Sequence, residues 1–208
     1  MKTPIKHQQA LTKTLQVLLN KIPEGSVVDT HLFYSGELEF SLAQYNRFVS
    51  AHTTQYVIYE FWQCMFDDPS RIYNIVNSDK FKFDETTFEY LQKNWAKQQG
   101  EYIRSALFFL LNRCSETGLV SSGNLKLENY NRVALASLKT FRPPSNFHLS
   151  LDSISMKESI EQQGESSHTI INVKEFDHNL FDEGKAFGFE ETNVNHAELR
   201  DIIEAANK

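Results

Sequence analysis

The stretch that decides the fold is Ser26-Val-Val-Asp-Thr-His-Leu-Phe33, which runs directly into the turn Tyr34-Ser35-Gly36. Its β-branched and apolar residues favour a buried strand. A helix is predicted over 37–50, and a second strand over 53–59, where apolar residues predominate. A strand, a tight turn, a helix and a second strand in this order are typical of a parallel α/β sheet.

The rest of the chain extends this pattern in both directions. Leucines at helical spacing predict a helix over 7–22. A helix pair divided at Asp67-Asp68-Pro69 follows the second strand, because aspartate caps helices and proline is tolerated in their first turn. We expect one mainly parallel sheet with strands near 27–33, 53–59, 146–151 and 169–173.

Residues 84–140 have a different character. Aromatic and aliphatic side chains recur at helical spacing from Phe88 to Leu111, and Gly100 is expected to divide this run into two helices. A polar loop and a last helix over 130–140 complete the region. We therefore predict a helical insertion within a single domain that covers 1–208.

The composition of the chain argues against several classes of function. A formal net charge of −6 argues against a protein held on DNA by many phosphate contacts. No apolar run approaches the ~20 residues of a membrane helix, and polar residues occupy the place of a signal peptide's apolar core, so we expect a cytoplasmic protein without membrane contact. Cys64 and Cys114 are predicted to be free buried thiols, and no spacing predicts a metal site.

Four segments of the chain carry a family resemblance. The most specific is Arg104-Ser-Ala-Leu-Phe-Phe-Leu-Leu-Asn-Arg113, with Gly118-Leu119 shortly after it. The others are Pro4-Ile5-Lys6, Phe33-Tyr34-Ser35-Gly36 and Val57-Ile58-Tyr59-Glu60. In order and spacing they resemble four segments of the DNA adenine N6-methyltransferases of the Dam type. These are Arg-Ala-x-x-Phe-Leu-Tyr-Leu-Asn-Arg with its Asn-Gly-Leu, Pro-Leu-Lys-Trp-Ala-Gly-Gly-Lys, Pro-Phe-x-Gly-Gly-Gly, and an apolar strand ending in Asn-Asp.

The resemblance implies a Rossmann-like methyltransferase sheet in the strand order 4-1-2-3, with 84–140 as the target-recognition region. It also implies positions that would contact S-adenosylmethionine: Lys6, Phe33, Ser35, Gly36 and Glu60. Glu60 would accept hydrogen bonds from ribose hydroxyls, although a solvated carboxylate at a strand end is the somewhat better explanation of this residue. Two departures weaken this site. The turn keeps only one glycine, so Cβ atoms obstruct backbone approach, and Glu37 would place an anion beside the cofactor carboxylate.

The catalytic segment is missing from the expected place. In the family the strand predicted over 169–173 is followed by Asp-Pro-Pro-Tyr, whose polar groups accept hydrogen bonds from the target amine. Here the four positions are Lys174, Glu175, Phe176 and Asp177. A charged lysine cannot accept a hydrogen bond, and no proline shapes the loop. We therefore predict no catalytic residue, and a partial sheet, because the family has further strands after this point.

The leading hypothesis is a catalytically inactive relative of these methyltransferases that works as a binding or structural module, with no cofactor. One alternative is an active S-adenosylmethionine-dependent DNA adenine methyltransferase with atypical motifs. Another is a nucleic-acid-binding module, with the candidates Lys93, Lys97, Arg104, Arg113, Lys126 and Arg132. We expect a protein partner or a second copy of the chain in preference to DNA. Phe181, Phe187 and Phe189 would either cover the partial sheet or meet that partner.

Overall fold

The computed structural model describes residues 3–6, 11–78, 84–120, 123–152 and 168–172, together with Glu158 and Arg200. These residues form an α/β architecture around a parallel four-stranded sheet. The strands are β1 (Val27–His31), β2 (Phe48–Thr53), β3 (Phe147–Leu151) and β4 (His168–Ile171). Their order is β3-β2-β1-β4, which confirms the predicted parallel sheet and its order. This topology is compatible with a Rossmann-like fold.

Seven α-helices lie in the described part of the chain: α1 (Thr12–Lys21), α2 (Glu37–Gln44), α3 (Tyr56–Asp67), α4 (Pro69–Val76), α5 (Glu85–Asn94), α6 (Glu101–Cys114) and α7 (Arg132–Thr140). Two single 3-10 turns, Trp95–Lys97 and Leu127–Asn129, flank α6 in sequence. Within the described ranges, no helix combines the length and the apolar character that crossing a bilayer requires.

The second strand was predicted over 53–59, and this prediction is wrong. The strand is β2, and the apolar run from Tyr56 onward forms α3 instead. α3 is buried on several sides, with Trp62 fully enclosed, so it lacks the polar stripe that identifies a surface helix. A short apolar run of this kind cannot be distinguished from a buried strand by periodicity.

The helix predicted over 37–50 is shorter than expected, because α2 stops at Gln44. Asn46 adopts a left-handed backbone with φ of 60°. The Arg47 N–H then donates to the Leu42 carbonyl at 3.2 Å, the bond that closes a Schellman motif. This motif ends α2, and β2 begins at Phe48, four residues after the last residue of the helix.

Other helix boundaries follow the predicted local chemistry. Asp68 caps α4 by accepting from the Arg71 N–H at 3.1 Å, with Pro69 in the first turn. Asp84 caps α5 in the same way, accepting from the Thr87 N–H at 2.7 Å. Gly100, with φ of 93°, precedes α6 as predicted. The described elements of 84–140 are thus helices and turns, apart from one isolated bridge between Ser115 and Leu125.

The sheet has two chemically different faces. Val28, Val49, Ala51 and Leu149 lie on one face and are buried in the hydrophobic core against the helices. Aromatic rings fill the centre of this core at centroid distances of 4.6 to 6.0 Å: Phe33, Phe40, Trp62, Phe141 and Phe147. Burying one such side chain contributes roughly 1.5–3 kcal/mol.

The opposite face carries polar side chains, because residues alternate between faces along a strand. We call it the polar face: Asp29, His31, Ser50, His52, His148, Ser150, Thr169 and, just beyond β3, Asp152.

The loop Lys174–Asp177 and the aromatic residues Phe181, Phe187 and Phe189 lie outside the described residues.

Replacing Gly36 by alanine is expected to destabilise the fold more than replacing Gly25. Both glycines have positive φ, 71° and 79°, so each substitution carries a backbone cost of about 1 kcal/mol. A Cβ at Gly36 would also overlap the Phe40 ring, with Cδ2 at 2.8 Å, whereas nothing lies within 4 Å at Gly25. Overpacking should add about 1–3 kcal/mol. Thermal melts of the two variants test this, and equal losses would contradict it.

Candidate functional site

The loop after β1 lies at the carboxyl end of the sheet, where parallel α/β folds bind ligands. Leu32 has a left-handed backbone (φ 64°), a conformation that non-glycine residues seldom adopt. The Phe33 N–H donates to the His52 carbonyl at 3.0 Å, which ties the loop to β2. Ser35 is buried, and Gly36 precedes α2. Three of the predicted cofactor positions, Phe33, Ser35 and Gly36, are therefore adjacent at this edge.

Asn112 joins three of the segments on which the family resemblance depends. Its Oδ1 accepts from the Lys6 N–H at 2.7 Å, and its Nδ2 lies 3.0 Å from the Lys6 carbonyl. The same Nδ2 lies 3.1 Å from the Tyr34 hydroxyl and 2.8 Å from the Gly118 carbonyl. The side chain is fully buried. The sequence indicated Asn112 only as part of a motif, and its role as a junction is visible only in three dimensions.

Lys6 is held by the carboxyl end of α6. Its ammonium donates to the carbonyls of Ser115 at 3.2 Å and Glu116 at 2.9 Å. A cation at a helix C-terminus complements the helix dipole. Burial lowers the pKa of Lys6, and the positive charges of Lys126 and Arg113 add to the effect. The amine that the resemblance assigned to cofactor contact thus makes contacts within the chain.

Arg113 anchors the same N-terminal segment from its other side. Its Nε donates to the Pro4 carbonyl at 2.6 Å, and its Nη2 donates to the Thr3 carbonyl at 3.2 Å. Burial lowers the pKa of the guanidinium. Arg104 is also used internally, as described next. Two of the six cations considered for nucleic-acid binding are therefore directed into the protein.

Glu60 does not lie at a strand end, so the strand-end position predicted for it is wrong. It lies within α3, buried at 6% exposure. Arg104 binds it in a bidentate pair, with Nε donating to Oε1 at 2.8 Å and Nη2 donating to Oε2. The hydrogen bond that Arg104 donates to Glu60 is the main cause that raises the pKa of Arg104. Because β2 is displaced relative to the prediction, Thr53 occupies the strand end instead, and the sequence did not single it out.

Asn172 is the first residue after β4. Its N–H donates to the His31 carbonyl at 3.1 Å, and its Nδ2 donates to Glu39 Oε1 at 3.3 Å. Asn172 is 5% exposed, and Glu39 is fully buried in α2. β4 ends at Ile171, two residues earlier than predicted, so a polar amide immediately follows the strand. The sequence marked neither residue as functional, since an asparagine after a strand and a glutamate early in a helix are common.

The polar face concentrates charge at its centre. His52 Nδ1 lies 3.1 Å from Asp152 Oδ1, and its Nε2 lies 3.6 Å from Asp29 Oδ1. The His31 ring stacks on the His52 ring at 4.8 Å, with an interplanar angle of 16°. Among the described residues, no group of three or more His, Cys, Asp or Glu side chains has an arrangement that would hold a metal ion.

His31 is a buried neutral histidine. Burial lowers its pKa to about 4, and the adjacent His52 adds to this effect, while the carboxylates of Asp152 and Asp29 oppose it. The pKa values of the two cysteine thiols are raised, which favours their protonated forms. Burial raises the pKa of Cys114 to about 12 and also raises that of Cys64. Both cysteines are free and buried, as predicted.

The Glu60–Arg104 pair is expected to behave as a structural unit. Removing either partner alone leaves an unpaired charge that is buried at Glu60 or half-buried at Arg104, so Glu60→Ala and Arg104→Ala should each lower the free energy of unfolding, by up to about 3 kcal/mol. The double variant should lose clearly less than the sum. Urea unfolding of the four proteins measures this coupling. Glu89→Ala, which removes an exposed carboxylate on α5, is the control and should change stability by less than about 0.5 kcal/mol. Additive losses would contradict the pairing.

His31 should make the fold sensitive to mild acid. Below pH 6.5 the unfolded chain gains a proton at this histidine, whereas the folded chain does not until pH falls to about 4. The unfolded state is therefore favoured, and about 2 kcal/mol of stability should be lost between pH 7 and pH 5. In His31→Gln this component should disappear, while the exposed control His148→Gln should retain it. Urea midpoints at the two pH values decide between these outcomes.

No protein-family model matches the chain, and no curated protein matches it.

Proposed function

We propose that the chain is a catalytically inactive relative of the Dam-type DNA adenine N6-methyltransferases that works as a binding or structural module. The observation that carries this proposal is the junction at Asn112. Segments that resemble the family at Lys6, Tyr34 and Gly118 are far apart in sequence and meet at one buried amide. Chance matches in an unrelated α/β protein would have no reason to converge in this way.

Three features support the loss of cofactor binding and chemistry. The Lys6 ammonium binds carbonyls at the end of α6, and the Glu60 carboxylate is held by Arg104. The turn after β1 keeps a single glycine, Gly36, and Glu37 follows it. The polar groups that would attract a nucleoside cofactor are thus engaged elsewhere, while the scaffold that surrounded them is retained. A fold can persist in this way after its site is gone.

The distribution of charge favours a protein as the binding partner over a nucleic acid. The net charge of the chain is −6. Arg104 and Arg113 are used inside the protein and are not available for phosphate contacts. A protein or a second copy of the chain is therefore the partner class that we propose, and sedimentation at micromolar concentration distinguishes between the two.

One observation favours the alternative of an active enzyme. Asn172 follows β4 directly at the carboxyl end of the parallel sheet, and its side-chain amide donates to the buried Glu39. Transfer to an adenine amine requires a hydrogen-bond acceptor in such a place. In this alternative Asn172, and not Lys174–Asp177, would face the target base.

Calorimetric titration with S-adenosylmethionine tests the proposal. We expect no binding tighter than about 1 mM, which corresponds to roughly −4 kcal/mol, because the ammonium and carboxylate that would hold the cofactor are already paired. Incubation with labelled cofactor and mixed duplex DNA should likewise give no incorporation. A micromolar constant, or incorporation that disappears in Asn172→Ala, would overturn the inactive assignment. Asn74→Ala, at an exposed position in α4, is the matched control.

A further inference from the structure

The polar face of the sheet aligns three side chains in the order of a nucleophile, a base and an acid. Ser50 Oγ lies 3.3 Å from His52 Nε2, and His52 Nδ1 lies 3.1 Å from Asp152 Oδ1. Each ring nitrogen therefore has a different partner. This connectivity is the one that activates a serine hydroxyl in acyl-transfer enzymes, where it is recognised by geometry and not by sequence order.

The surroundings of His52 suit a base that must take up a proton and return it. In the tautomer that carries its proton on Nδ1, Asp152 accepts from Nδ1–H and the Nε2 lone pair is directed at Ser50. Asp29 Oδ1, at 3.6 Å from Nε2, lies close enough to stabilise an imidazolium. The His31 ring stacks on His52 and holds its plane. Because His31 is neutral near pH 7, it does not repel a charge that forms on its neighbour.

The surface beside Ser50 indicates the chemical class of substrate. Ser50 is half-buried, and Phe48 lies two residues earlier on the same face at 55% exposure. Val27, the partner of Phe48 on β1, is 46% exposed. These two side chains offer an apolar surface next to the hydroxyl. His148, the partner of Ser50 on β3, is exposed and adds an imidazole hydrogen-bond donor on the other side.

We propose that Ser50, His52 and Asp152 form a hydrolytic relay for carboxylic esters with a small apolar acyl group. Ser50 Oγ bonds to the acyl carbon while its proton moves to His52 Nε2. The carbon–oxygen bond of the ester then breaks, and the departing alcohol takes the proton from His52. A water molecule repeats the two steps on the acyl-serine, which releases the carboxylic acid and restores Ser50. This activity goes beyond the proposed function, in which the chain is inactive in methyl transfer, because it uses the opposite side of β2 from the hydrophobic core and no cofactor.

The test uses the full chain with a fluorophosphonate probe, followed by p-nitrophenyl butyrate hydrolysis. Wild type is expected to label at Ser50, as located by peptide mass spectrometry, and to release p-nitrophenol. Ser50→Ala should abolish both signals. His52→Gln and Asp152→Asn should each lower labelling at least tenfold, since they remove the base and the group that orients it. Ser150→Ala, a matched serine on the neighbouring strand of the same face, should label as wild type does.

Two results would overturn the relay. Wild type that labels no more than Ser50→Ala would show that the three groups form an inert polar network. Labelling that survives in His52→Gln would show an exposed serine without a base. Because Ser50→Ala removes a single oxygen atom and should fold normally, circular dichroism and a thermal melt of this variant keep the comparison decisive even where His52→Gln loses stability.

Discussion

The hydrogen bonds of one buried amide, Asn112, organise the carboxyl side of the sheet. Residues 3–6 run against α6 without belonging to a helix or strand, so their backbone groups need partners from side chains. Asn112 supplies both an acceptor and a donor to Lys6, and the same amide reaches Tyr34 and Gly118. A buried backbone group left without such a partner costs about 1–3 kcal/mol. The position of three loops therefore depends on this residue.

The second constraint is the division of the sheet into an apolar and a polar face. Parallel strands are commonly buried on both sides and apolar throughout. Here Val28, Val49, Ala51 and Leu149 face the helices, while the polar face carries histidine, aspartate and serine side chains. Parallel register places Asp29 beside Ser50 and His31 beside His52, so groups from different strands meet in rows. Low exposure then strengthens their mutual interactions, because the local dielectric is low.

Charged groups that the family resemblance associates with a cofactor are used for structure in this chain. The ammonium of Lys6 donates hydrogen bonds to two carbonyls at the end of α6. The carboxylate of Glu60, on α3, accepts hydrogen bonds from Arg104 on α6. A buried ion pair is costly to break on one side but can be replaced as a unit. These contacts join α3 to α6 and the N-terminal segment to the end of α6.

Local chemistry in the sequence was sufficient for the parallel sheet and the capped start of α4, because alternation, aspartate caps and glycine breaks act over a few residues. The strand order followed from the family resemblance. Local chemistry was not sufficient for β2 and α3, since a helix buried on several sides has no polar stripe. The role of Glu60 was decided by Arg104, 44 residues away. The polar-face cluster required parallel register, which brings His52 to Asp152 across 100 residues. Tertiary structure alone set these contacts, because side chains distant in sequence meet only after the strands have paired.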